Sequence, residues 1–108
     1  MKPLLIFAMA LGAAFAQDAA GIKEARHRFD LVSTRAGANL HAADSIEWRL
    51  NQDGATLHPQ LIALRLRIGA SLEEAHDAIS EGDLKTANAA MEKAEALVER
   101  FARRLGGE

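Results

Sequence analysis

The 108-residue chain has no cysteine and no tyrosine, and it carries only two prolines and five aromatic side chains. Without cysteine there is no disulfide framework, no thiol nucleophile, no covalent haem attachment and no lipid-modified cysteine. Neither sign of charge dominates. Thirteen basic and fifteen acidic residues leave a formal charge of −2, which argues against a dedicated nucleic-acid binder, normally clearly basic. The longest apolar run, residues 4–16, would span only ~20 Å as a helix against a hydrocarbon core of ~30 Å. Also missing are a glycine-rich phosphate loop, a His-Glu-x-x-His motif and a nucleophile elbow around Ser33, Ser45, Ser71 or Ser80. What is present is 49% apolar and 26% charged, the balance of one soluble globular domain. Alanine is plentiful and β-branched residues are sparse, which favours helix over sheet.

The first sixteen residues read as an address. Met1-Lys2 is a short basic start, residues 4–16 are apolar or glycine, and Ala14-Phe15-Ala16 places small residues at a cleavage point before polar Gln17-Asp18. That is the three-part layout of a secretory signal peptide. Cleavage after Ala16 would leave residues 17–108, with 12 basic and 15 acidic side chains and no stable membrane anchor. No twin arginine precedes the apolar run, so the general secretory route is expected, with a periplasmic or extracellular destination.

The remaining chain shows helical periodicity almost throughout. Ile22, Ala25, Phe29, Val32, Ala36, Asn39, Ala43, Ile46 and Leu50 follow alternating spacings of three and four. Asn51-Gln52-Asp53-Gly54 stops that helix. Pro59 suits the first position of the second, whose stripe is Leu61, Leu64, Ile68, Leu72, Ala75 and Ile79. Gly82 is placed to end it and Asp83 to cap the third. The third stripe is Leu84, Ala87, Met91, Ala94, Val98, Phe101 and Leu105. These patterns predict an all-α fold: an up-down-up antiparallel three-helix bundle with helices at about 18–52, 59–81 and 83–105, preceded by the signal peptide. Folding helix 1 back on helix 2 near residue 55 places Arg28 and Arg35 near Glu81 and Glu73, and Asp44 and Glu47 near Arg65. The second turn brings Arg65 level with Glu99. Gly37 and Gly69, in mid-helix, read as close-packing positions, with a kink at Gly37 as the alternative.

The segment Gly82-Asp83-Leu84-Lys85-Thr86-Ala87, continuing through Met91, Lys93 and Ala94, resembles the second helix of a tetratricopeptide repeat over about sixteen residues. The preceding helix lacks that family's aromatic and Leu-Gly signature, although Ala75 stands where the small residue is expected. No second copy follows at the 34-residue period, so the resemblance implies a helical hairpin and not membership.

Two weak metal motifs occur. Glu24 and His27, and Glu73 and His76, repeat a Glu-x-x-His pattern used by di-iron bundles, but both pairs fall outside the apolar stripes and face solvent. A shallower divalent-cation site would use Glu73, Asp77 and Glu81 at i, i+4, i+8, with His76 adjacent. A solvated acidic face neutralised by Arg28 and Arg35 is the preferred reading of that stripe. Met91 sits on a core stripe, where methionine is filler and not a haem ligand. Three narrow helices leave little room for a pocket of ~300 Å³, so a non-catalytic protein without a cofactor is expected.

Three apolar side chains fit no stripe: Trp48, Ile62 and Leu66. Either Trp48 covers Leu57 and the 53–58 loop, completing the core, or the three share one end of the bundle as an apolar patch. The second arrangement would suit a protein partner or self-association, with the three residues as anchors.

Overall fold

A computed structural model describes the backbone of residues 2–107 and the side chains of residues 19–107. It is an all-α bundle of three helices: α1 (Lys2–Gln52), α2 (Pro59–Glu81) and α3 (Leu84–Gly106). The side chains of the expected leader, and the cleavage point after Ala16, lie outside the described ones.

Each connection is built from the residues that flank it. At the end of α1, Gly54 adopts φ +77°, which lets its N–H bond Asn51 O at 3.2 Å and the Ala55 N–H bond Leu50 O at 2.8 Å. This pair of bonds satisfies carbonyls that the helix leaves open, and it needs a residue without Cβ at the left-handed position. Gly82 repeats the device at φ +75°, with Gly82 N–H to Ile79 O at 3.1 Å and Asp83 N–H to Ala78 O at 2.8 Å. Asp83 then starts α3 by accepting the Thr86 N–H at 3.1 Å. Hydrogen bonds from the Thr86 side chain and backbone hold the Asp83 carboxyl below its ordinary value. Two residues therefore close one helix and open the next. At the head of α2, His58 is the N-cap. Its Nδ1 accepts the Gln60 N–H at 3.1 Å, and Pro59 fills the position where an N–H would have no partner.

The stripes face inward. No member of the nine-residue α1 stripe is exposed, and the same holds for the stripes of α2 and α3. The buried arc is wider than one stripe, because Ser71 and Ala78 on α2 and Ala90 and Leu97 on α3 are buried as well. The core has two parts. Near the first turn, Ala36, Ala43, Leu57, Leu61, Leu64, Ile68, Leu97, Val98 and Phe101 pack together. Near Gly82 the buried cluster is Ala25, Ala75, Ala78, Ile79, Ala87, Ala90 and Met91. Leu57, in the connection, is 0% exposed and plugs the first end.

Two glycine expectations are corrected. α1 continues through Gly37 without a break, and a Cβ added at Gly37 or Gly69 would meet nothing within 4 Å. Neither position is close-packed; both face open space. The close approach is at Gly21, where an added Cβ would lie 2.7 Å from Leu84 Cδ1. There the missing side chain lets Leu84 rest on the α1 backbone.

Candidate interaction surface

Ion pairs fix how the helices sit around the core. Arg65 reaches from α2 to α1, donating from Nη1 to Asp44 Oδ1 at 3.3 Å and to Glu47 Oε1 at 3.2 Å, with Nη2 to Glu47 Oε2 at 3.3 Å. The bond to Glu47, then its charge and that of Asp44, raise the Arg65 pKa. This is the cross-turn pairing expected for Asp44 and Glu47. Arg28 departs from expectation. It does not meet Glu81 on α2 but grips Glu95 on α3, with Nε to Oε1 at 2.8 Å and Nη2 to Oε2 at 3.1 Å. That bidentate bond, followed by the charges of Arg28 and Arg35, holds the Glu95 carboxyl below its ordinary value against partial burial. Arg35 contributes its charge near Glu95, and no Arg35–Glu73 ion pair forms among the described residues. Glu99 lies 3.8 Å from Arg103 one turn on, and no Arg65–Glu99 pair forms among the described residues.

The candidate anchors separate into two kinds. Trp48 is 65% exposed and Leu66 is 69% exposed, so Trp48 does not cover Leu57. Ile62 is half-buried and packs against the larger core cluster. Trp48 follows Glu47 on α1 and Leu66 follows Arg65 on α2, so each exposed side chain is next in sequence to a member of the α1–α2 ion-pair bridge. Trp48 itself borders a shallow hollow with Asp44, Ser45 and Arg49. A third exposed apolar residue, Leu31 at 61%, was not singled out in the sequence. It borders Val32, Arg35, Glu95 and Val98 on the α1–α3 side. Its signal was legible: like Trp48, it falls off the α1 stripe.

The candidate metal residues do not converge. Glu73, Asp77 and Glu81 line an open hollow with Ala70, Glu74, Ala78 and Thr86. His76 lies outside it. The His76 ring packs on Phe29 of α1 with centroids 5.8 Å apart, and its Nδ1 is 3.7 Å from Asp77 Oδ1. His76 therefore meets α1 at residue 29. Among the described residues, no group of three or more His, Asp or Glu side chains is placed to hold a metal ion. Glu24 and His27 are exposed, and Met91 is fully buried among apolar neighbours.

Sequence reasoning also missed a basic hollow. Arg67, Arg100 and Arg104 border it with Gln60, Ala63 and Leu64, at the junction of the α2 start and the α3 end. Arg100 and Arg104 suit the negative end of the α3 dipole, but Arg67 joins them only because α2 and α3 run antiparallel about Gly82. Among the described residues, no helix is long and apolar enough to cross a membrane. No family model, curated protein or solved structure matches the chain.

Proposed function

We propose that this protein is a small exported, non-catalytic helical module that works by binding another protein, with Trp48 and Leu66 as anchors and Ile62 as their support. The observation that carries this reading is the exposure of Trp48 and Leu66 beside an ordered ion-pair bridge. A tryptophan left in water forfeits a large burial gain, and such residues dominate interface energies once covered. Ile62, one helical turn before Leu66, belongs to the packed scaffold of α2. Cleavage of residues 1–16 as a secretory leader would put the encounter in the periplasm or outside the cell.

Crosslinking in the native envelope, followed by identification of the captured protein, tests the proposal. The double variant Trp48→Ala/Leu66→Ser is expected to lose the crosslinked partner while retaining its helical circular dichroism. Equal capture by the double variant would end this reading. The cation-binding alternative has one supporting feature, the carboxylate line at Glu73, Asp77 and Glu81 near the negative end of α2. Calorimetry with Ca²⁺, Zn²⁺ and Cu²⁺ separates the two, since heat that vanishes in Glu73→Gln/Asp77→Asn would favour the cation.

A further inference from the structure

The face of the α2–α3 pair turned away from α1 carries opposite charges at its two ends. Both hollows on it are lined by α2 and α3 alone, with no α1 residue. At one end stand Arg67, Arg100 and Arg104. At the other stand Glu73, Glu74, Asp77 and Glu81. The residues 60, 63, 67, 70, 74, 77 and 81 follow one helical stripe of α2, and 86, 90, 93, 97, 100 and 104 follow one of α3. Between the charged ends the α2 stripe holds only small Ala70, so the middle of the face is low.

We propose that this face docks a second copy of the same chain, turned end for end about a two-fold axis near Ala70. The argument is charge complementarity and its register. Leu64 and Arg100 border one hollow, and Ala78 and Thr86 border the other, which fixes the levels of α3 against α2. With those levels, a reversal about the Ala70–Ser71 position brings Arg67 level with Glu74 of the second copy. It brings Arg100 level with Asp77, and Arg104 level with Glu81. The same operation lays α2 on α2 and α3 on α3, so Arg67 meets Glu74 directly while Arg100 and Arg104 reach Asp77 and Glu81 on the diagonal from α3 to α2, and the symmetry repeats the three matches in the other half. A parallel arrangement would set like charge on like. Lys93 lies near the midpoint, opposite its own copy, and its flexible stem lets the ammonium bend towards the rim.

The size of the face is consistent with a closed but weak dimer. Helices of 23 residues are ~35 Å long, and a pair spaced ~10 Å apart offers roughly 500–600 Å² per copy. That is at the lower end of specific interfaces. The hollows measure about 250 Å³ at the basic end and about 380 Å³ at the acidic end, enough to seat side-chain heads from the other copy. Association driven this way is sensitive to salt.

The test is sedimentation velocity on protein recovered from cells expressing the full chain. A dimer is expected at low ionic strength, with its dissociation constant rising at least about tenfold towards 0.5 M salt, where the screening length falls to a few Å. The variants Arg67→Glu/Arg100→Glu and Glu74→Arg/Asp77→Arg are each expected to be monomeric alone with unchanged helicity. Mixed one to one they are expected to form a heterodimer, because each reversed end then meets a reversed end. The neutral variant Arg67→Gln/Arg100→Gln, which creates no new repulsion, weakens the dimer by a smaller factor. Trp48→Ala, a change on α1, is expected to leave this dimer intact, so the fate of the Trp48 surface is read separately. A monomeric wild type, a mixture that stays monomeric, or assemblies growing beyond the dimer would overturn the proposal. So would an arginine hollow that binds inorganic phosphate in a protein that never dimerises.

Discussion

The two ends of the bundle solve the same packing problem with different residues. Near the first turn, Leu57, Leu61, Leu64, Ile68, Leu97, Val98 and Phe101 fill the space between helices. Near Gly82, five of the seven buried residues are alanines, and Met91 and Ile79 supply most of the bulk. Alanine buries little apolar area, so the second end gains less from excluding water per residue. It gains helix propensity instead, and its small side chains admit close approach, as at Gly21 against Leu84. One end is held by burial and the other by proximity. The difference teaches where each end is vulnerable: the first to removal of volume, the second to its addition.

Phe101→Ala should break the first end most severely. Phe101 is fully buried, and deleting its ring costs ~3–5 kcal/mol, a large part of the ~5–10 kcal/mol expected for a domain of this size. Urea unfolding measures it, and a loss below ~1 kcal/mol would show the larger cluster to be plastic. Ala87→Leu should act at the other end in the opposite sense, by overfilling. Ala87 is 0% exposed, so the added atoms force shifts costing ~1–3 kcal/mol. A neutral result would reveal slack that the close approach at Gly21 argues against.

Gly37→Ala and Gly69→Ala should sharpen the contrast by stabilising the helices without touching either core. Each removes a mid-helix glycine facing open space, and each is expected to add ~0.5–1 kcal/mol. Destabilisation on thermal melting would mean that something packs there. The smallest effect is electrostatic. A double-mutant cycle on Arg28 and Glu95 should give ~0.2–1 kcal/mol, because both side chains are more than a third exposed. Glu95 and Asp83 have depressed values in the folded protein, so their stabilisation is complete at neutral pH. It is lost as pH falls below the ordinary carboxylate value of ~4 and through the folded values. Melting temperature followed from pH 7 to 2 checks this, and Glu95→Gln should flatten part of the acid loss.

The helices and their stripes were legible because spacings of three and four survive any tertiary arrangement. Gly54, Gly82 and Asp83 were legible because turn chemistry is local. Ser71, Ala78, Ala90 and Leu97 were not, because α2 and α3 each touch two neighbours and bury an arc wider than one stripe. Leu57 sits outside any periodic segment, so nothing in its surroundings marked it as core. The partner of Arg28 depends on which side of α1 faces α3, and a stripe carries no handedness. Trp48 was a residue with two equal places in prospect, and only the packing of Leu57 without it decided between them. Gly37 and Gly69 lie off their helices' stripes, and that spacing alone turns them outward, away from any close packing. The basic hollow needed Arg67 and Arg100 to be set side by side, which follows from the antiparallel turn at Gly82 but not from either helix alone.

The two-residue link at Gly82-Asp83 has a kinetic consequence. With no slack between α2 and α3, which form the most extensive pairing in the bundle, that hairpin closes its chain at minimal loop entropy. The expected order of folding is that the pair assembles first and α1 docks onto it last. Mutations of Ala90 should slow refolding while those of Ala36 mainly hasten unfolding, and the reverse pattern in a chevron would place α1 in the nucleus.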